Sequence, residues 1–145
     1  MTSARWFSPA ALLLVVLGGA LGVSARALLT VPPATAEAHP LLVPAITLVV
    51  NIAGSFLLGM LLGAVGDRMP RLRAFLGTGA LGGFTTYSAF AVHVVSTYSG
   101  APVVGLLLAA VSLSGGALAA AVGLGSGERL GTRKAASEAQ DGDAA

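Results

Sequence analysis

The chain has 145 residues, 55% of them hydrophobic and 10% charged, with a formal net charge of +2. Soluble domains carry about 25% charged residues, so a chain this apolar, with mean hydropathy +0.87, reads as one compact integral membrane unit. It contains no cysteine, which excludes disulfides and thiolate-bound metal.

A membrane-spanning helix needs about 20 apolar residues, and four segments supply them. The first runs from about Ala10 to Leu29. Met1, Arg5 and this run also read as a signal peptide with Val23-Ser24-Ala25 as a crude cleavage site. The run is long enough to span, however, and three more follow it. Arg26, near its end, has two readings. It snorkels to the headgroups, or it turns inward and draws anions toward a vestibule. Pro32, Pro33 and Pro40 punctuate the loop that follows.

The second span runs from about Leu41 to Gly66. Thr47, Asn51 and Ser55 recur every four residues, which puts them on one helical face, and Gly59 and Gly63 continue the row. Hydroxyls and small residues commonly join membrane helices. Asn51 fits that role less well: its amide needs several partners, so it is a candidate donor to an ion. Asp67, Met69 and Pro70 mark the next turn.

The third span, from about Leu72 to Val95, is the most informative. Gly77 to Gly82 matches G-x-G-x-x-G, but a dinucleotide site needs a preceding strand and a later acidic residue in a βαβ unit. Here the glycines serve close packing or a bend. Then comes Gly82-Gly83-Phe84-Thr85-Thr86-Tyr87-Ser88-Ala89-Phe90, a poor recipe for a smooth spanning helix. Lipid offers no hydrogen bonds, so irregular backbone at that depth must be buried in protein or line a polar cavity. Carbonyls freed by such a break can coordinate Na+, and Thr85, Thr86 and Ser88 add hydroxyls. Tyr87 and Phe90 share a face. Their ring edges carry positive quadrupole character that suits a small anion, although the same spacing also suits core packing. His93 reads as a partly wet pore-rim or helix-packing residue, because no second His, Cys or carboxylate lies nearby in sequence.

Ser99-Gly100 marks a third turn, and the fourth span runs from about Pro102 to Gly125. It carries isolated hydroxyls at Ser112 and Ser114, with Gly105, Gly115 and Gly116 as packing positions. From Ser126 to Ala145 the chain is small, polar and charged, and reads as a disordered tail. With four spans, Arg5, Arg68, Arg71, Arg73, Arg129, Arg133 and Lys134 all fall on one side, and the opposite loops hold no Lys or Arg. The positive-inside rule then predicts a multi-pass plasma-membrane protein with both termini in the cytoplasm.

Three blocks carry a resemblance to the Fluc (fluoride exporter) channels over nearly the whole chain. They are Gly18-Gly19-Ala20-Leu21-Gly22 with Arg26, Thr47 to Gly59 with Asn51-Ile52-Ala53-Gly54-Ser55-Phe56, and Gly77 to Phe90. The resemblance implies an all-α membrane protein of four transmembrane helices, the third broken near its middle, forming an antiparallel dimer with two fluoride pores. It implies passive fluoride efflux, with a structural Na+ at the dimer centre held by backbone carbonyls at positions matching Gly82 and Thr85. The phenylalanine box matches Tyr87 and Phe90, and the pore asparagine matches Asn51. The hydroxyl track begins at Ser88, with Ser112 also on the anion path, and Arg26 belongs to the vestibule. Fluoride holds its water tightly, so a selective pore must replace that shell with donors. Such a channel needs no ATP site, and its partners are fluoride, lipid and a second subunit, not nucleic acid.

The chain departs from the family pattern at Tyr87, which replaces Phe, at Ala89, which replaces a hydroxyl residue, and around Leu108, where a polar residue or tyrosine is usual. A homodimer of dual topology also needs nearly balanced Lys and Arg. The one-sided charge therefore predicts pairing with an oppositely oriented paralogue, in which one pore is degenerate, over self-pairing. Another class, the small multidrug transporters, shares four short spans but needs a carboxylate within the membrane. Here Glu37, Asp67, Glu128, Glu138, Asp141 and Asp143 all fall in loops or the tail. A purely structural membrane protein would leave the polar residues on two helices unexplained. No nucleophile–base or metal constellation suggests an enzyme.

Overall fold

A computed structural model describes residues 8–35 and 39–143, with side chains for 8–31 and 39–132. Arg5 and Glu37 lie outside the described residues, as do the side chains of Arg133, Lys134, Glu138, Asp141 and Asp143. The described residues are all helical apart from short turns. Helix α1 is Pro9–Thr35 and α2 is Leu42–Val65. Helix α3 covers 70–84 in three continuous stretches, Pro70–Leu72, a wide π-helical Arg73–Leu81 and Gly82–Phe84. Helix α4 is Tyr87–Gly100 and α5 is Pro102–Asp143. Three of these, over Pro9–Val31, Leu42–Val65 and Pro102–Thr132, are long and apolar enough to cross a membrane. The bent pair α3–α4 is the third segment of the bundle.

Helix α2 ends where Gly66 adopts φ 53°, a left-handed conformation that glycine takes without Cβ strain. Pro70 then opens α3, where a missing amide proton costs nothing. Arg73 locks this turn, donating to the Gly66 carbonyl at 3.1 Å and pairing with the Asp67 carboxylate.

Two helix ends differ from the sequence expectation. Helix α1 continues through Pro32 and Pro33 to Thr35. Proline's fixed φ suits a helix, and near a C-terminal end its missing N–H leaves only late carbonyls without donors. Helix α5 does not stop near Gly125 but runs on as helix to Asp143. Its later residues include Glu, Arg, Lys and Ala, which favour helix, and no proline.

Backbone approach, not side-chain bulk, holds the bundle together. Helix α1 lies on α3, where a Cβ at Gly18 would strike the Phe75 carbonyl and one at Gly22 the Ala80 carbonyl. Helix α2 lies on α5 along a second seam: a Cβ at Gly59 would strike the Ala120 carbonyl, one at Gly123 the Phe56 carbonyl, and one at Gly127 the Met60 carbonyl. Small residues of this kind let membrane helices touch along their backbones. The seam carries past Gly125, because Gly131 still faces the Ala64 carbonyl.

The exterior is inverted relative to a soluble bundle. Besides glycines, the buried described residues are Pro44, Thr47 and Val50. Leu12, Leu21, Leu28, Val49, Leu106 and Leu118 all stand exposed. In water such a surface would aggregate; in a bilayer it is the lipid-facing side.

Candidate ion site at the broken helix

Two threonines make the break. Thr85 (φ −80°, ψ 151°) and Thr86 (φ −146°, ψ 115°) are extended between α3 and α4. Thr85 closes α3: its amide and its hydroxyl both donate to the Leu81 carbonyl, at 3.0 and 2.9 Å. Thr86 opens α4 as its N-cap, its hydroxyl accepting from the Ala89 amide at 3.2 Å. From sequence these residues register as hydroxyls, with the Thr85 carbonyl added by the resemblance, and not as helix caps. The available signal was a threonine placed just before a new apolar run.

Asn51 of α2 holds the break open. Its Oδ1 accepts the Thr86 amide at 2.9 Å, and its Nδ2 donates to the Thr86 carbonyl at 3.2 Å. One side-chain amide thus pairs with the exposed backbone as a neighbouring strand would. In an unbroken α-helix the Thr86 amide would bond to the Gly82 carbonyl and the Ala89 amide to the Thr85 carbonyl. Both amides are diverted, one to Asn51 and one to the Thr86 hydroxyl, so Gly82 and Thr85 lose their helical donors. Gly54, three residues beyond Asn51, lets Thr85 sit against α2, because a Cβ there would collide with Thr85 Cγ2. Sequence reasoning placed Gly54 in a family block but gave it no role.

Arg26 points toward the break, where its Nε donates to the Gly83 carbonyl at 3.4 Å. The long side chain thereby ties α1 to the last turn before the break.

Asn51, Ser55, Thr85, Thr86, Tyr87, Phe90, Ser112 and Leu113 line a groove of about 190 Å³ beside the break. Tyr87 and Phe90 stack with ring centroids 5.8 Å apart and planes tilted by 51°. Ser112 Oγ is buried there without a hydrogen-bond partner among the described residues. A buried hydroxyl left unsatisfied is unfavourable. Among the described residues, no charged side chain lines the groove. Ser88 is not among the lining residues; it is exposed, with its hydroxyl 3.1 Å from that of Thr86.

A second cavity, of about 210 Å³, is lined by Arg26, Thr30, Val31, Val43, Thr47, Val50, Thr86, Ala89 and His93. The row Thr47–Asn51–Ser55 therefore divides: Asn51 and Ser55 meet the groove and Thr47 meets this cavity. Thr86 borders both. Ser114 lies outside both sites, its hydroxyl bonded to the Ala110 carbonyl. Leu108 lines a separate apolar cavity with Pro44, Leu48 and Val111.

The family profile described as CrcB-like protein, Camphor Resistance (CrcB), matches residues 13–124, which include α2, both halves of the broken helix and the clamp. The chain belongs to the CrcB/FluC family. It is 42% identical over 137 residues to the fluoride-specific ion channel FluC 2 of Leifsonia xyli subsp. xyli (strain CTCB07), covering 87% of this chain and 89% of that protein. It is 42% identical over 118 residues to the fluoride-specific ion channel FluC 2 of Bacillus subtilis (strain 168), covering 80% and 86%. It is 46% identical over 116 residues to the fluoride-specific ion channel FluC 1 of Rhodococcus jostii (strain RHA1), covering 79% and 83%. Membership of the CrcB/FluC family places the chain among channels, not enzymes, and agrees with a multi-pass membrane bundle.

Proposed function

We propose that this chain is a subunit of a fluoride-selective channel that lowers cytoplasmic fluoride by passive efflux. The observation that carries the reading is the groove itself: neutral hydrogen-bond donors and ring edges, with no charged side chain. Fluoride must exchange a tightly held hydration shell for such donors. Two hydrogens sit on Asn51 Nδ2, and one bond to Thr86 leaves the second for an ion. Ser112 supplies an unpartnered hydroxyl, and Tyr87 with Phe90 supplies edges. Ser88 joins through Thr86. The relatives named as fluoride-specific ion channels support the same substrate.

A structural Na+ bound by the Gly82 and Thr85 carbonyls belongs to this proposal. Its support is chemical: these two carbonyls have lost their helical donors, and unwound carbonyls at membrane depth suit Na+. The ion would fix the break in its extended form.

The subunit acts as an antiparallel dimer. Tyr87 is 78% exposed in the single chain, so one side of the groove is open until a second subunit covers it. Residues 1–125 form the channel unit, with cytoplasmic termini by the positive-inside rule, and the residues beyond 125 lie on the cytoplasmic side. The one-sided arginines favour an oppositely oriented paralogue as partner.

The test is fluoride against chloride efflux from liposomes that hold the assembled dimer, for wild type and Asn51→Asp. Wild type should release fluoride and retain chloride. The aspartate variant should release neither, because a carboxylate in the groove repels anions. Equal chloride release would overturn the fluoride reading. Protein expressed alone should conduct poorly, and robust efflux from a stable homodimer would remove the paralogue requirement.

A further inference from the structure

The fluoride reading leaves His93 without a role. His93 on α4 and Arg26 on α1 line the same cavity, and among the described residues no carboxylate lines it. Thr47, only 4% exposed, also lines it, and no hydrogen bond of its hydroxyl to the described residues is found. Thr86 borders both this cavity and the ring-lined groove, so an anion held in the cavity is one residue away from the groove.

We propose that this cavity is an anion antechamber whose charge is set by protonation of His93. Protonated, His93 adds a second positive charge beside Arg26 and raises the supply of anions to the groove. The inference rests on the fluoride reading above. Histidine is the side chain that ordinarily changes charge between about pH 5 and 8. A cavity with low-dielectric walls focuses the added field.

Few other groups compete. Helix α2 contains no ionisable side chain, and α5 has none before Glu128, near the far end of the bundle. On α3 the cations are Arg71 and Arg73, also at that end, and α4 itself adds only Tyr87 and Tyr98. Among the described residues, Arg26 is, besides His93, the one charged side chain that lines the cavity; His39 stands exposed just before α2, its Nδ1 accepting the Leu41 amide.

Planar-bilayer currents of the assembled dimer in symmetric fluoride, at about pH 8 and about pH 5.5 on both sides, test this. Hydrogen fluoride is neutral, so its passage through lipid adds no current. Wild-type current should rise about threefold or more on acidification, and His93→Gln should be flat across the range. A selective fluoride current at pH 8 establishes the underlying reading, and its absence at both pH values would sink both ideas together. A flat wild-type profile, or an undiminished rise in His93→Gln, would overturn the antechamber while leaving the channel intact. Should His93→Gln carry no current, His93→Lys, charged at both pH values, must conduct without the rise, and a remaining rise would overturn the role of His93.

Discussion

Replacing Asn51 with leucine deletes the clamp while keeping an apolar side chain of similar size. Two hydrogen bonds disappear, at 2.9 and 3.2 Å, each worth about 1 kcal/mol net. The Thr86 carbonyl keeps the Phe90 amide at 3.4 Å, so the severe loss falls on the Thr86 N–H. Stranding that donor adds about 1–3 kcal/mol. Together the variant should lose about 3–5 kcal/mol of stability, because lipid offers the broken backbone no substitute. Unfolding in detergent micelles reads the energy, and amide exchange at Thr86 reads the site. Asn51→Asp is the control: its carboxylate still accepts the Thr86 amide, so exchange there should stay slow even though conduction fails. A leucine variant within about 0.5 kcal/mol of wild type, with Thr86 still protected, would refute the clamp.

Gly54→Ala should destabilise by about 1–3 kcal/mol through overpacking against Thr85. Adding Thr85→Ser, which removes the colliding methyl and keeps the hydroxyl, should restore most of it; no rescue would mean that the collision lies elsewhere. Ser112→Ala deletes a buried hydroxyl with no partner, so stability should hold or rise by about 1 kcal/mol while fluoride current falls several-fold. Unchanged current would remove Ser112 from the anion path. Replacing Na+ by a large organic cation should lower the unfolding midpoint, by the equivalent of about 2.7 kcal/mol where Na+ had stood at 100 times its dissociation constant. An unchanged midpoint would argue against a resident Na+.

Much of this architecture was legible in the chain because lipid is an unforgiving solvent. Long apolar runs have few alternatives to spanning helices, and the polar run from Gly82 to Phe90 stood out against them. Helix ends were harder to read. Pro32 and Pro33 resemble a stop but are tolerated in a last turn, and Gly125 resembles an end but lies within a glycine seam that continues to Gly131. The π-helical stretch Arg73–Leu81 had no clear signal, since the same glycines also suit an ordinary packed helix.

By itself, the sequence determined the class, the spans, the place of the break and the residue types around it. Local solvation and backbone chemistry suffice for those. Tertiary structure decided who meets whom. Asn51 clamps a backbone 35 positions away, Arg26 turns toward a carbonyl 57 positions away, and Thr47 separates from Asn51 into a different cavity. Those outcomes depend on the depth and rotation at which the glycine seams lock one helix against the next. Helical periodicity places a residue on a face, but only packing chooses what that face touches.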